Sequence, residues 1–199
     1  MKMRKVLEIP TILYNRIKVK IYNVKTGENI IIRGKIRFSR FGNIRIGDNC
    51  MINASDKYNP IGCGDGCNII AEKTGAICIG NNLGMSNSTI YSRISINIGN
   101  NVLIGGGVRI YDTDFHSLDA TFRGTKMDKV HTKNEPIIIE DHVYIGANSI
   151  ILKGVHIGKN SIIGAGSIVT KNIPDNEIWA GYGCGEYPLR LRGEAVFQL

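Results

Sequence analysis

A chain of 199 residues with 24 glycines and only five prolines has the length of one solenoid-sized domain, and its glycines fit frequent corners rather than disorder. Its net charge of +8 is uneven: up to Arg45 twelve Lys and Arg face only Glu8 and Glu28, a net of +10, so the remainder nets −2. The first thirty residues hold no apolar run of signal-peptide length, and nothing approaches the ~20 residues that span a bilayer. Cys50, Cys63, Cys67, Cys78 and Cys184 form no CxxC pair, which argues against a disulfide framework and a structural zinc site, and a cytoplasmic protein is the default.

Residues 1–40 read as a basic N-terminal arm and cap. Within them Ile9 to Val24 interleaves apolar and basic residues, which permits a short amphipathic element. Such an arm can steer anionic partners or make weak contact with an anionic membrane surface, such as the inner face of a cell membrane. No aromatic platform is interleaved with the basic residues, so nucleic acid is not expected.

Residues 41–174 read as a repeat. Ile46 and Ile52 flank a Gly47-Asp48-Asn49 corner, with Cys50 at the small inward position. Tyr58 to Cys67 breaks phase and reads as a loop. A second corner follows at Gly80-Asn81-Asn82, and Ile98, Ile104 and Ile110 resume the spacing. The segment 112–135 is a long polar insertion, at whose start stands Tyr111-Asp112-Thr113-Asp114-Phe115-His116. Loops anchored on rigid scaffolds are where catalytic groups concentrate. Two carboxylates flank His116, and either Asp114 or Asp112 could accept the proton of one ring nitrogen and leave the other as a base. His131, in the same loop, is the second candidate base.

From residue 139 to 169 an aliphatic returns every sixth position, at Ile139, Ile145, Ile151, Ile157, Ile163 and Val169. Val143, Ser149, Val155, Ser161 and Ser167 stand two residues before them. Asn148, Gly154, Asn160 and Gly166 occupy a phase suited to turns with positive φ. This is the pattern of a parallel β-helix with one aliphatic per face pointing inward, an all-β solenoid whose end rungs need covers. At the remaining phases His142 and His156 read as outward or corner residues, while Tyr144, Ile150 and Ile168 should face outward. Residues 175–199 form a C-terminal tail.

The segments IGNNVLIGGGVRIYDTDFH (98–116) and EPIIIEDHVYIGANSIILKGVHIGKNSIIGAGSIVTKNIPDNEIWAG (135–181) resemble the hexapeptide-repeat acetyltransferases, especially the maltose and galactoside O-acetyltransferase type and the polysaccharide-modifying type. The likeness runs over roughly residues 44–181. It implies a left-handed β-helix assembled as a homotrimer, with acetyl-CoA between adjacent coils of two subunits. The left hand comes from the resemblance alone, since parallel crossovers in general favour the right. It further implies His116 as the catalytic base and Asn87 as the residue holding the acceptor hydroxyl. Ser86, Tyr144, Ala147, Ala165, Thr170 and Lys171 fall on positions that meet the cofactor. The segment GYGCGEYPLRLR (181–192) departs from the family pattern, leaving Arg190 and Arg192 as substitutes at the nucleotide end.

The activity implied is direct acetyl transfer from acetyl-CoA to a sugar or polysaccharide hydroxyl, with no metal. An amino sugar or other small amine is the alternative acceptor. A zinc-dependent coil would need three histidines meeting at one point, and a non-catalytic scaffold would need no special loop.

Overall fold

A residue period of six folds as strand, corner, strand, and three such units close one turn of a parallel β-helix. The computed structural model describes residues 9–64, 66–181 and 189–190. Helix α1 (Ile9–Ile21) comes first, followed by six coils of three strands. Coil 1 holds β1 (Lys25–Thr26), β2 (Ile31–Gly34) and β3 (Ile36–Phe38). Coil 2 holds β4 (Asn43–Ile46), β5 (Met51–Ala54) and β6 (Cys67–Ala71). In coil 3 lie β7 (Ala76–Ile79), β8 (Gly84–Ser86) and β9 (Thr89–Ser92), and in coil 4 β10 (Ser95–Ile98), β11 (Leu103–Ile104) and β12 (Arg109–Tyr111). Coil 5 has β13 (Ile137–Ile139), β14 (Tyr144–Ile145) and β15 (Ile150–Ile151). Coil 6 has β16 (His156–Ile157), β17 (Ile162–Ile163) and β18 (Ile168–Val169). Beyond it β19 (Glu177–Trp179) adds to the stack, and β20 (Leu189–Arg190) pairs with it antiparallel. The first, second and third strands of the coils stack into three sheets, faces A, B and C.

The inward positions are those the six-residue period marks. Ile139, Ile145, Ile151, Ile157, Ile163 and Val169 fall in turn on faces A, B, C, A, B and C, all fully buried. Val143, Ser149, Val155, Ser161 and Ser167 fill the corners from inside. Their serine hydroxyls donate to carbonyls: Ser161 Oγ to Pro174 O at 2.7 Å and Ser167 Oγ to Gly164 O at 2.6 Å. Asn148, Gly154, Asn160 and Gly166 all turn with positive φ, between 59° and 76°.

The corner between faces A and B explains its own sequence. The side-chain oxygen of each second corner residue accepts an N–H from the coil before: Asn81 Oδ1 from Asp48 (2.7 Å), Asn100 Oδ1 from Asn81 (2.9 Å), Asp141 Oδ1 from Asn100 (2.6 Å). Glycine must precede because that oxygen occupies the space of its side chain. A Cβ on Gly99 would stand 2.3 Å from Asp141 Oδ1. Coil 6 presents Lys159 at the accepting position, and there the glycine is replaced by Glu140.

Two boundaries differ from the sequence reading. The coil starts at Lys25 rather than at residue 41, because β1 to β3 pair in register with coil 2. It also runs past 174, since Ile178 and Trp179 pair with Ile162 and Ile163. Helix α1 covers the open end. Rich in β-branched residues, it has weak intrinsic propensity and depends on packing. Val19 and Tyr22 rest on the core. Buried Asn15 donates its amide to the Ile32 and Gly34 carbonyls (3.2 and 2.8 Å), and Lys18 Nζ donates to Ile36 O (2.8 Å). These carbonyls line an edge with no preceding coil, the kind of edge that otherwise invites pairing with another chain. Asn15→Ala is expected to lower the unfolding free energy by about 1–3 kcal/mol through the unpaired buried carbonyls; an unchanged urea midpoint would show that the edge does not need this cap.

Candidate active site

The insertion leaves the coil at the corner between faces C and A, after β12. Its root is closed by the bridge of Thr113 with Asn134 and by the Glu135 N–H on Asp112 O (3.0 Å). Asp112 is fully buried and points into the stack. Its carboxylate accepts from Ser92 Oγ (2.7 Å) and from the N–H groups of Arg93 (2.7 Å), Ile94 (2.8 Å) and Ser95 (2.9 Å). It fastens coil 4 to the corner of coil 3. Asp114 pairs with Lys153 Nζ at 2.8 Å. Neither carboxylate touches the His116 ring, which corrects the expectation drawn from their closeness in sequence.

The carboxylate that does is Asp128, twelve residues on, whose Oδ2 lies 2.7 Å from His116 Nδ1. Asp128 also accepts the N–H of Ser117 (2.6 Å) and of Gly124 (3.0 Å). The bond from Ser117, then those from His116 and Gly124, hold its carboxyl well below the usual carboxylate range. An ionised acceptor at Nδ1 fixes the tautomer that carries its proton there and leaves Nε2 with a free lone pair. The imidazole is 69% exposed, while the carboxylate beneath it is 9% exposed. Chemistry at this ring therefore belongs to Nε2. Asp128 carries no local sequence signal, since the turns of the loop, not spacing along a strand or helix, bring it under the ring.

The other histidines are engaged elsewhere. His131, the second candidate base, stacks flat on Phe122 (centroids 3.6 Å apart, 3° between planes). His142 sits in the A/B corner with φ +61°, and His156 Nε2 lies 2.7 Å from Glu140. Among the described residues no group of three His, Cys, Asp or Glu is arranged to hold a metal ion.

A second set of residues lines the corner between faces B and C. Ser86 and Asn87 form it in coil 3, Ala147 in coil 5 and Ala165 in coil 6. At Asn87 the corner is one residue short: Met85 to Ile90 spans five positions, whereas their register partners Ile104 to Ile110 span six. Asn87 turns with φ +41°, is 6% exposed, and has both side-chain polar atoms buried without a hydrogen-bond partner. A buried amide left so costs about 1–3 kcal/mol, so its position suits a bound ligand or water that pairs with it. The N–H groups of Ala147 and Ala165 likewise meet no backbone acceptor among the described residues. Tyr144 lies on face B, 45% exposed, in register with Leu103 and Ile162.

Thr170 and Lys171 belong to the other corner, exposed at the end of β18 on the C/A side with the root of the His116 loop. The sequence-derived residues thus divide between two corners, with β9 of face C, roughly 10 Å long by its rise per residue, lying between them. Arg190 contributes its backbone to β20, while Arg192 and Cys184 lie outside the described residues.

Residues 136–171 match the family model described as the hexapeptide repeat of succinyl-transferase. A galactoside O-acetyltransferase of Lactococcus lactis is 45% identical over 100 residues, 49% of this chain and 45% of that protein. The chain spans about half the length of that curated relative. Among solved structures, a variant of AntD, an N-acyltransferase from Bacillus cereus in complex with dTDP-4-amino-4,6-dideoxyglucose and coenzyme A, superposes with a TM-score of 0.68 at 22% identity, over 89% of this chain and 90% of that one. A galactoside acetyltransferase in complex with coenzyme A superposes with a TM-score of 0.51 at 29% identity, over 83% of this chain and 64% of that one. The shared architecture is the left-handed parallel β-helix, and residues 136–171 of this chain carry the hexapeptide repeat of that family model.

Because folding lowers the Asp128 pKa, its stabilising contribution is complete above the ordinary carboxylate value of about 3.9 and is lost as pH falls below it toward the folded value. Asp128→Asn should therefore unfold more readily than the parent at pH 7, with the difference shrinking below about pH 4. A difference independent of pH in urea titrations would contradict the ionised contact.

Proposed function

For a chain built on this family's repeat, we propose an acetyl-CoA-dependent O-acetyltransferase that acts on a sugar or polysaccharide hydroxyl, with His116 as general base. The observation that carries this reading is the exposed imidazole held at Nδ1 by a buried carboxylate, on a loop rooted in rigid coils. Nε2 takes the proton of the acceptor hydroxyl as its oxygen attacks the thioester carbonyl. The tetrahedral oxyanion is met by a backbone N–H donor at the B/C corner, a role we assign to Ala147, whose N–H has no backbone acceptor among the described residues. Collapse expels the CoA thiolate, which recovers the proton from the imidazolium. No acyl-enzyme forms. Asn87 fits the acceptor hydroxyl, because a hydroxyl can satisfy both its unpaired carbonyl and its unpaired amide. Ser86, Ala147 and Ala165 offer small side chains along one corner, and the N–H groups of Ala147 and Ala165 suit a pantetheine arm with its own amides; Tyr144 flanks them, and Thr170 and Lys171 suit its nucleotide end.

Since His116 and Asn87 stand at different corners, the site is complete only when one protomer's C/A corner meets another's B/C corner. A homotrimer does this. Ile31, Met51, Leu103 and Tyr144 support it: they form an outward apolar row on face B, each between 37% and 53% exposed. Rows of this kind mark contact surfaces. Acceptor choice then lies with the loops at 54–75 and 112–135. An amine nucleophile would use the same base, so an acetyl-transfer screen across sugars, amino sugars and glycans separates O- from N-transfer. No helix among the described residues is long and apolar enough to cross a membrane. We place the enzyme in the cytoplasm, with the basic helix α1, whose Leu13, Ile17 and Ile21 are exposed, able to touch an anionic membrane surface.

His116→Ala should lower kcat by ~10²–10⁴-fold with acetyl-CoA affinity kept, which is the value of a general base. Turnover within tenfold of the parent would sink the assignment.

A further inference from the structure

The residue before His116 has a backbone that its own side chain disfavours. Phe115 has φ +64°, while every other non-glycine with positive φ among the described residues is Asn or His. Asn tolerates this region through its short polar side chain; a bulky aromatic does not. The His116 N–H donates to Asp114 O at 2.7 Å, so Asp114, Phe115 and His116 close a three-residue turn with positive φ at its centre, the rare and strained γ form. Such a conformation persists only where its surroundings over-determine it.

The surroundings are visible. The Phe115 ring packs against Tyr91 (centroids 5.0 Å apart, planes tilted 54°) and edge-on to Tyr111 (5.2 Å, 82°), both favourable aromatic geometries. Tyr91 is itself fixed, its hydroxyl donating to Glu72 Oε1 at 2.5 Å, and Glu72 is held in turn by Arg93 Nε at 3.1 Å. On the near side Lys153 anchors the Asp114 carboxylate, and the Phe115 N–H donates to Thr113 Oγ1 at 3.1 Å. Coils 3, 4 and 5 thus each grip one side of the turn, through Tyr91, Tyr111 and Lys153.

We propose that Phe115 is a positioning residue: its ring, wedged on Tyr91 and Tyr111, holds the strained turn that aims the His116 imidazole, with Nδ1 on Asp128 and Nε2 toward the acceptor. This rests on His116 being the base. Removing the wedge lets the turn relax and the ring wander, and a misplacement of about 1 Å at a reacting group can cost ~10²-fold in rate.

The test compares Phe115→Ala, Phe115→Gly and Phe115→Tyr in the full-length protein by steady-state kinetics and thermal unfolding, with His116→Ala alongside. Alanine keeps the strain and loses the wedge, so its kcat should fall ~10²-fold with both KM values unchanged. Glycine adopts positive φ freely and should recover part of that loss, and tyrosine, which retains the ring, should stay near the parent. If alanine fails to fold, the glycine and tyrosine pair carries the same contrast. Parental kcat in Phe115→Ala, or in Phe115→Gly, overturns the proposal. So does a loss confined to acceptor KM, which would make the ring a substrate contact. An active His116→Ala would instead remove the base reading beneath it, while an inactive His116→Ala beside a fully active Phe115→Ala would remove the wedge alone.

Discussion

Each coil buries its apolar interior only against the coils above and below, so the register between coils decides at once which side chains are inside and which are out. A slip of one residue would turn every strand over. The A/B corners prevent it, because each Asp or Asn side chain accepts an N–H from the coil before, where a glycine preceding the donor leaves the room. These bonds are individually modest, about 0.5–1.5 kcal/mol, but they repeat along the stack and add in the nearest-neighbour fashion of solenoids. The fixed register is also what lets chain be inserted or removed at the other two corners without disturbing the core.

The candidate site residues sit at those freer corners. At the B/C corner one residue is missing, and the remaining turn buries Asn87 with its amide unsatisfied. At the C/A corner the insertion brings His116 over Asp128. The coil supplies rigidity and the loop supplies the His116–Asp128 pair, next to a turn that contacts Tyr91, Tyr111 and Lys153 of three successive coils. The same rigidity keeps the two corners apart within a protomer. A reaction needing both therefore ties activity to assembly.

Much of this was legible in the sequence, and unequally so. The regular stretch from Ile139 to Val169 gave the faces, the inward serines and the four left-handed corners, because strand and corner lengths there are uniform. Upstream the pattern blurred for identifiable reasons: strands that vary from two to five residues, an excursion after Ala54, and the short corner at Asn87. The coil's start at Lys25 was hidden because β1 has two residues and neither is buried. The partner of His116 was misread for a different reason. Asp112 and Asp114 lie beside it in sequence, but one is turned inward to cap three N–H groups where coil 3 passes into coil 4 and the other is held by Lys153 from coil 5. Proximity along an irregular loop carries little information about proximity in space, and Asp128 could be found only once the loop was folded.

The claim that most needs testing is that one site draws on two protomers. Unfolding His116→Ala and Asn87→Ala proteins together and refolding them as a mixture gives assemblies in which some sites pair an intact His116 with an intact Asn87 from its neighbour. Random assortment of a closed, symmetric trimer then predicts recovery of about one quarter of parental activity from two variants each inactive alone. Activity no higher than the sum of the two separate variants, with mixed assemblies confirmed by differential tagging, would contradict the shared site.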